Sequence, residues 1–312
     1  MEPLTENKII LIVRRTRLDD LVARFNTEDQ ARFYVEHLGA DFSDYQAEDR
    51  TYKNAVHEAQ RILSRHGRLQ VVPRAFVPNF LFGPKDTAVA LGQDGLVANV
   101  LKYLDGQLLL GVNPDPARWE GVLLPFRVAD LDGLMPEVFG EKRPVRAVTM
   151  AEAKLNTGQV LRGVNDLFIG PRSHTSARYT IRTGDRSESH SSSGIIVSTG
   201  LGSTGWFRSI LAGATGIVSA LSARPLKIDE KKTFAWDADY LYFSVREPWP
   251  SKTSSANITF GKVTPRTPLV LVSQMPEDGV IFSDGIESDF LQFNSGTEAT
   301  IHLAGKKGHL VT

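Results

Sequence analysis

Thr87-Ala88-Val89-Ala90-Leu91-Gly92-Gln93-Asp94-Gly95-Leu96 is a short apolar run that ends in a glycine-framed turn and leads into a stretch with helical spacing. That order is the strand, turn and helix of an α/β sheet, and such sheets bind phosphates at the strand's carboxyl end. Backbone amides at a helix start are partly positive, and flanking glycines let a bulky anion come close. Gly92 and Gly95 supply the glycines, and Asp94 is the carboxylate of the turn, able to remove a proton or position a metal. Asp-Gly also makes ordinary turns, so the segment alone leaves both readings open.

The sequence on either side repeats the alternation. Ile9-Ile10-Leu11-Ile12-Val13 reads as a buried parallel strand that delivers Arg14-Arg15-Thr16-Arg17 to its carboxyl edge. Residues 18–40 and 50–65 carry helical spacing, and Leu69-Gln70-Val71-Val72 is a second apolar segment. After Gly95, Val97, Val100, Leu101 and Leu104 share a helical face, and Gln107 to Val112 reads as another buried strand. The expectation is an α/β N-terminal domain with a Rossmann-like parallel sheet over residues 1–126.

From residue 127 to 312 the period changes to that of a β-rich domain. A short helix is expected around 128–138, then strands at 145–155, 160–169, 177–183, 194–198, 239–246, 256–261, 268–273 and 279–283. Clusters of glycine, proline, serine and aspartate separate them. Gly184 to Ser193 reads as an exposed loop. No internal repeat is present, which disfavours a solenoid.

Composition bounds the function. Lys plus Arg and Asp plus Glu balance at 36 each, so no global field points to nucleic acid or to an anionic membrane. The absence of cysteine excludes disulfides, thiolate zinc sites and thiol nucleophiles, and suits a reducing cytosol. Met1 to Lys8 lacks the apolar core of a signal peptide, and Ser209 to Ala223 is too short to span a bilayer. The expectation is a cytoplasmic protein with no membrane partner.

Two further segments carry candidate chemistry. In Ser193-Gly194-Ile195-Ile196-Val197-Ser198-Thr199-Gly200-Leu201-Gly202-Ser203-Thr204-Gly205-Trp206, a strand runs into a turn rich in glycine and hydroxyls. Such a turn is expected to expose amides and hydroxyls to a polar ligand, with the aromatic offering a face for a flat ring. In Val164-Asn165-Asp166-Leu167-Phe168-Ile169-Gly170, an amide and a carboxylate interrupt an apolar strand, and a ribose is one partner that would satisfy them. A hairpin loop and a strand-edge pair are the plain alternatives.

Other clusters read as structure. The seven histidines show no metal-ligand spacing, so no metal residues are assigned, and His57, His66 and His190 are expected at the surface. Trp236, Trp249 and the Tyr240/Tyr242 alternation read as sheet packing. Ser283-Asp284-Gly285 reads as a strand-end turn, with Asp284 able to face the site if the C-terminal segment folds back.

In order and context these segments resemble the NAD kinase family. Its Gly-Gly-Asp-Gly-Thr corresponds to Gly92-Gln93-Asp94-Gly95-Leu96, its Asn-Glu pair to Asn165-Asp166, and its Thr-Pro-Thr-Gly-Ser-Thr-Ala-Tyr turn to Thr199 through Trp206. Resemblance to the mitochondrial-type members rests on Arg14 to Arg17, Gly111 to Gly121, Ser193-Gly194, Trp206 and Ser244 to Pro248.

The resemblance implies the two-domain fold shared with diacylglycerol kinase-like proteins, with the last strands able to return to the first domain, and a homodimer. It implies transfer of a phosphoryl group from ATP, with Mg²⁺, to the 2′-hydroxyl of the adenosine ribose of NAD, giving NADP. Asp94 would be the general base. Gly95, Asn165, Asp166, Ser193, Thr199, Leu201, Thr204, Gly205 and Trp206 would bind NAD, and Gly92, Arg14 and Arg17 the ATP phosphates. Gln93 and Leu96 depart from the pattern on the phosphate side. They leave open a non-catalytic nucleotide-binding protein, while a sugar or lipid kinase of the same superfamily is the third reading.

Overall fold

The computed structural model describes residues 8–222 and 233–312, without the side chains of Glu287 and Ser288. Residues 1–7, read above for a signal sequence, and Ala223, which ends the apolar stretch, lie outside the described residues. The chain forms two units, Met1–Arg146 with His309–Thr312, and Ala147–Gly308.

The first unit is a parallel sheet covered by helices. Its strands are β1 (Lys8–Val13), β2 (Arg68–Pro73), β3 (Thr87–Leu91), β4 (Leu108–Asn113) and the short β5 (Phe126–Arg127). Its helices are α1 (Arg17–Phe25), α2 (Glu28–His37), α3 (Phe42–Leu63), α4 (Asp94–Leu101) and α5 (Leu131–Phe139). The strand order is β2-β1-β3-β4, with all pairs parallel. Residues Ile9 to Ile12 and Ala88 to Leu91 are fully buried, as a sheet covered on both faces requires. On one face Ile9, Leu11, Val89, Leu91, Leu110 and Val112 pack with Tyr52, Ala59 and Ile62 of α3 and Leu131, Leu134 and Met135 of α5. That packing holds α5 in the first unit, which therefore extends past the boundary expected at residue 126.

The second unit contains two antiparallel sheets. Its strands are β6 (Val145–Leu155), β7 (Val160–Gly163), β8 (Asp166–Pro171), β9 (Ala177–Thr183), β10 (Arg186–Ser192), β11 (Ile195–Ser198), β12 (Leu241–Val245), β13 (Phe260–Val263), β14 (Leu269–Ser273), β15 (Gly279–Ser283), β16 (Ile286–Gln292) and β17 (Glu298–Val311). One sheet joins β10-β9-β14-β17 with β6 and β7, and the other runs β13-β12-β11-β8-β15-β16. Leu167, Ile169, Ile195, Val197 and Phe243 of the second sheet share a core with Tyr179, Ile181, Leu269, Leu271 and Ile301 of the first. The helix α6 (Trp206–Leu221) follows β11, and Trp206 and Ile210 pack with Phe168, Ile196 and Val280 of the second sheet. The end of β17 enters the first unit, where His309 and Leu310 pair parallel with Leu108 and Leu109 of β4. The α/β plus β-rich architecture is the one expected.

Several local expectations are corrected. The residues 18–40 form two helices, because Thr27 caps a new one. The Gly184 to Ser193 segment is not a loop: it contains strand β10, paired with β9 along its length. His190 on that strand and His66 after α3 are buried, at 2% and 6% exposure, while His57 is exposed. Each buried ring has a carboxylate partner, Glu188 at 2.6 Å from His190 Nε2 and Asp132 at 2.9 Å from His66 Nε2. Trp249 is exposed on a loop, whereas Tyr242 meets Tyr240 and Phe234 edge to face and stacks with Phe207 and Phe260.

Candidate functional site

The expected site residues fall in both units. In the first, the strand order places a switch point between β1 and β3, since the chain leaves β1 towards β2 on one side and returns through β3 on the other. In open α/β sheets ligands bind outside the carboxyl ends of the strands at such a point. Arg14 follows β1 there, and Gly92 follows β3.

Tyr52 of α3 joins these two ends. Its hydroxyl accepts from Arg14 N at 2.8 Å and donates to the Leu91 carbonyl at 2.9 Å. Burial pushes the phenol's pKa up to about 12. A Cβ on Gly92 would sit 2.8 Å from Leu96 Cδ2 and 3.7 Å from Arg14 Cδ, so any side chain here would press on the buried Leu96 methyl. Leu96 is buried beneath the turn and does not cap the helix. Gln93 occupies the N-cap position of α4 without a side-chain capping bond, and its carbonyl accepts from Leu96 N at 2.8 Å.

Asp94 is the first residue of α4 and is half-buried. Its carboxylate accepts from Leu123 N at 2.7 Å and from Val122 N at 3.3 Å. The loop that supplies those amides is folded around Asn113, whose Nδ2 donates to the Trp119 carbonyl at 2.9 Å and whose Oδ1 accepts from Asp115 N at 3.0 Å. The sequence gives no sign of this loop's return to Asp94, because the contact spans 28 and 29 residues.

Arg14 and Arg17 are held by acidic partners on α3. Glu48, with 3% of its side chain exposed, accepts from Arg14 Nη2 at 2.8 Å and also from Arg17 Nε. Burial alone would raise the Glu48 pKa, but the bonds from Arg17 and Arg14 outweigh it and hold the carboxyl below its ordinary range. Asp44 bridges Arg17 and Arg118, each at 2.7 Å, and the bonds from Arg118 and Arg17 hold it well below the usual carboxylate range. Arg17 and Arg118 remain partly exposed, at 44% and 26% of their side chains, whereas Arg14 is 11% exposed. A partly exposed guanidinium pair is able to meet phosphate oxygens in the fork geometry arginine favours. Asp44, Glu48, Tyr52 and Arg118 were not among the residues expected from sequence.

In the second unit, the Asn165-Asp166 segment and the turn after β11 are locked together. Thr199 N donates to the Asn165 carbonyl at 3.0 Å, Thr199 Oγ1 donates to the Val164 carbonyl at 2.5 Å and accepts from Gly202 N at 3.1 Å. A Cβ on Gly202 would overlap the Asn165 carbonyl oxygen, so the two backbones meet here without an intervening side chain. The hydroxyls do not behave as expected from sequence. Ser198, Thr199 and Ser203 are buried; the Ser203 hydroxyl donates to the Gly200 carbonyl and that of Thr199 to the Val164 carbonyl, and Thr204 is the exposed one. Folding the turn tightly consumes the hydroxyls that a solvated loop would offer a ligand.

Leu201 is buried at 5% exposure, Gly205 is exposed, and Trp206 starts α6 with its ring parallel to Phe168 at 6.1 Å. The Arg246 guanidinium lies 5.7 Å from the Trp206 ring centre. Ser193 is exposed, and its amide donates to the Arg246 carbonyl at 3.0 Å. Asp166 begins β8, half-buried, and one of its carboxylate oxygens is buried without a hydrogen-bond partner. Burial and, less strongly, the Asp284 charge push its pKa up to about 7, against a hydrogen bond from Ser198.

Among the described residues no group of three or more His, Asp or Glu side chains could hold a metal ion, and no helix is long and apolar enough to cross a membrane. No family model matches the sequence, and no curated protein matches it. Solved structures match by shape. A yeast NADH kinase complexed with NADH superposes with a TM-score of 0.59 at 14% identity, over 99% of this chain and 84% of that one. An NAD kinase from Archaeoglobus fulgidus in complex with ATP gives 0.56 at 14% identity, over 98% and 93%. With a parallel α/β unit, a β-rich unit and a final strand shared between them, this chain has the NAD kinase fold.

Proposed function

We propose that this protein is an ATP-dependent NAD kinase. The observation that carries the reading is the lock between residues 164–166 and 199–206. Two segments far apart in sequence are bonded together through Thr199, Gly202 and the Val164 and Asn165 carbonyls, which supports Asn165, Asp166, Thr204 and Gly205 serving one site. The Archaeoglobus structure holds ATP and the yeast one NADH, which supports a nucleotide donor and a dinucleotide acceptor here.

In this reading Asn165, Asp166, Thr204 and Gly205 hold the adenosine part of NAD, with Thr199, Leu201 and Trp206 shaping that site and Ser193 towards the nicotinamide half. Asp94, with Gly95 beside it, takes the proton from the 2′-hydroxyl. The hydroxyl oxygen forms a bond to the γ-phosphorus of ATP while the bond from that phosphorus to the β,γ-bridging oxygen breaks, releasing ADP and NADP. Gly92, Arg14 and Arg17 serve the phosphates. Mg²⁺ would be carried in on the triphosphate, and the Asp94 carboxylate is the kind of group that would hold it together with phosphate oxygens. A cytoplasmic homodimer is the assembly we propose.

NADP formation from NAD, ATP and Mg²⁺, measured beside Asp94→Asn, tests the reading. Turnover that is lost in the variant supports it. NAD binding without turnover in the natural protein would overturn it in favour of a nucleotide sensor, the reading that Gln93 at the N-cap of α4 favours.

A further inference from the structure

Asp284 lies in the turn between β15 and β16 with a φ of 56°, the left-handed region that aspartate tolerates better than most residues. Its carboxylate gathers three consecutive amides. Val164 N donates at 3.0 Å to Oδ1 and 3.2 Å to Oδ2, Asn165 N donates at 2.6 Å and Asp166 N at 3.3 Å to Oδ1. In return Asp284 N donates to the Asp166 carbonyl at 3.0 Å. The pairing is fixed by the sheet: β15 runs antiparallel to β8 with Ser283 opposite Leu167, which delivers the turn to the start of β8.

Successive amides pointing to one place form an anion-binding concavity, and here the protein fills it with its own carboxylate. Such charge-assisted bonds are about twice as strong as neutral ones. The segment they hold carries Asn165 and Asp166, and its far side is tied to Thr199. The backbone is thus gripped from both sides, while Asp166 keeps a buried oxygen unpartnered.

We infer that Asp284 is a positioning residue for nucleotide binding: it fixes the backbone of residues 164–166 so that the Asn165 and Asp166 side chains are held ready for the adenosine hydroxyls and amines. The inference rests on the reading of these residues as the NAD site. Its negative charge also acts on Asp166, where Ser198 on β11 is the opposing hydrogen-bond donor.

The test is NAD and ATP kinetics, with direct calorimetric titration of NAD, for the natural protein, Asp284→Asn and Asp284→Ala at several pH values. Losing the three bonds is expected to raise KM and Kd for NAD by on the order of tenfold to a hundredfold in Asp284→Ala, with KM for ATP unchanged. Asp284→Asn preserves volume and is expected to fall between. Without the Asp284 charge Asp166 ionises at lower pH, so the midpoint of the pH dependence of NAD affinity moves acid in both variants. Should Asp284→Ala fail to fold, the Asn variant's KM and pH midpoint decide. A lower kcat or melting temperature with unchanged KM for NAD and unchanged pH midpoint would overturn the inference. Absence of NAD binding by the natural protein would overturn the proposed function and this inference with it.

Discussion

The Tyr52 hydroxyl donates to the Leu91 carbonyl at 2.9 Å while accepting from the Arg14 amide, so a helix side chain ties together the ends of β1 and β3. Tyr52→Phe leaves a buried donor and a buried acceptor without their partner. The expected loss of stability is about 1–3 kcal/mol, read from the midpoint of urea unfolding. The phenol's pKa lies above its unfolded value, so its contribution is complete below the ordinary tyrosine range and is lost as pH rises through about 12. An unchanged unfolding midpoint in the variant would show that the bridge does not support the sheet.

Glu48, itself almost without solvent contact, receives the guanidinium groups of the largely buried Arg14 and the half-exposed Arg17. Replacing it by alanine strands Arg14 beside a vacant position, which typically costs about 3 kcal/mol for a buried pair that loses one partner. Arg17 loses one of its two acidic partners and keeps Asp44, and with its guanidinium less firmly held KM for ATP is expected to rise. The carboxyl's pKa is depressed, so the stability it contributes is present above its unfolded pKa and lost as pH falls through the lower folded one. Acid titration of the natural protein against Glu48→Gln checks the sign: the natural protein should show the steeper loss.

Gly92 and Leu96 are coupled through the space a Cβ would occupy. Gly92→Ala presses on the buried Leu96 side chain and is expected to cost about 1–3 kcal/mol by overpacking. In the double variant with Leu96→Ala the pressure is relieved, giving a coupling of about 1 kcal/mol in a double-mutant cycle. Strict additivity would mean that the turn relaxes elsewhere.

Gly202→Ala pushes the Asn165 carbonyl away from the turn, and both partners are backbone, so no side chain can rotate aside. NAD affinity is expected to fall by more than about tenfold, with KM for ATP changed far less. Retained NAD affinity in a folded variant, checked by circular dichroism, would show that the 164–166 and 199–206 lock is unimportant to the site.

Legibility in the sequence follows how local each signal is. The runs Ile9 to Val13 and Thr87 to Leu91, the glycine turn after them and the helical face of α4 announce themselves, because burial on both faces demands unbroken apolar residues. Strand β10 does not, since Arg186-Ser187-Glu188-Ser189-His190-Ser191-Ser192 contains no apolar residue. It is a strand because β9 pairs with it, and its His190 is buried because Glu188 takes the ring nitrogen. The end of β17 is similarly hidden by Gly305-Lys306-Lys307-Gly308.

The sequence by itself determined the α/β-then-β order of the chain and where Asp94, Asn165-Asp166 and the Thr199 to Trp206 turn fall along it. It also placed Arg14 directly after the first strand and Arg17 three residues further on, where α1 begins. Only the tertiary structure decided that Glu48 and Asp44 hold those arginines, that Leu123 caps Asp94, that Thr199 and Ser203 turn inward and that Asp284 grips the amides before β8. The physical reason is separation. Periodicity and turn preference act over a few residues and are written in the chain, whereas a buried charge or amide is satisfied by groups brought from 28 to 120 residues away.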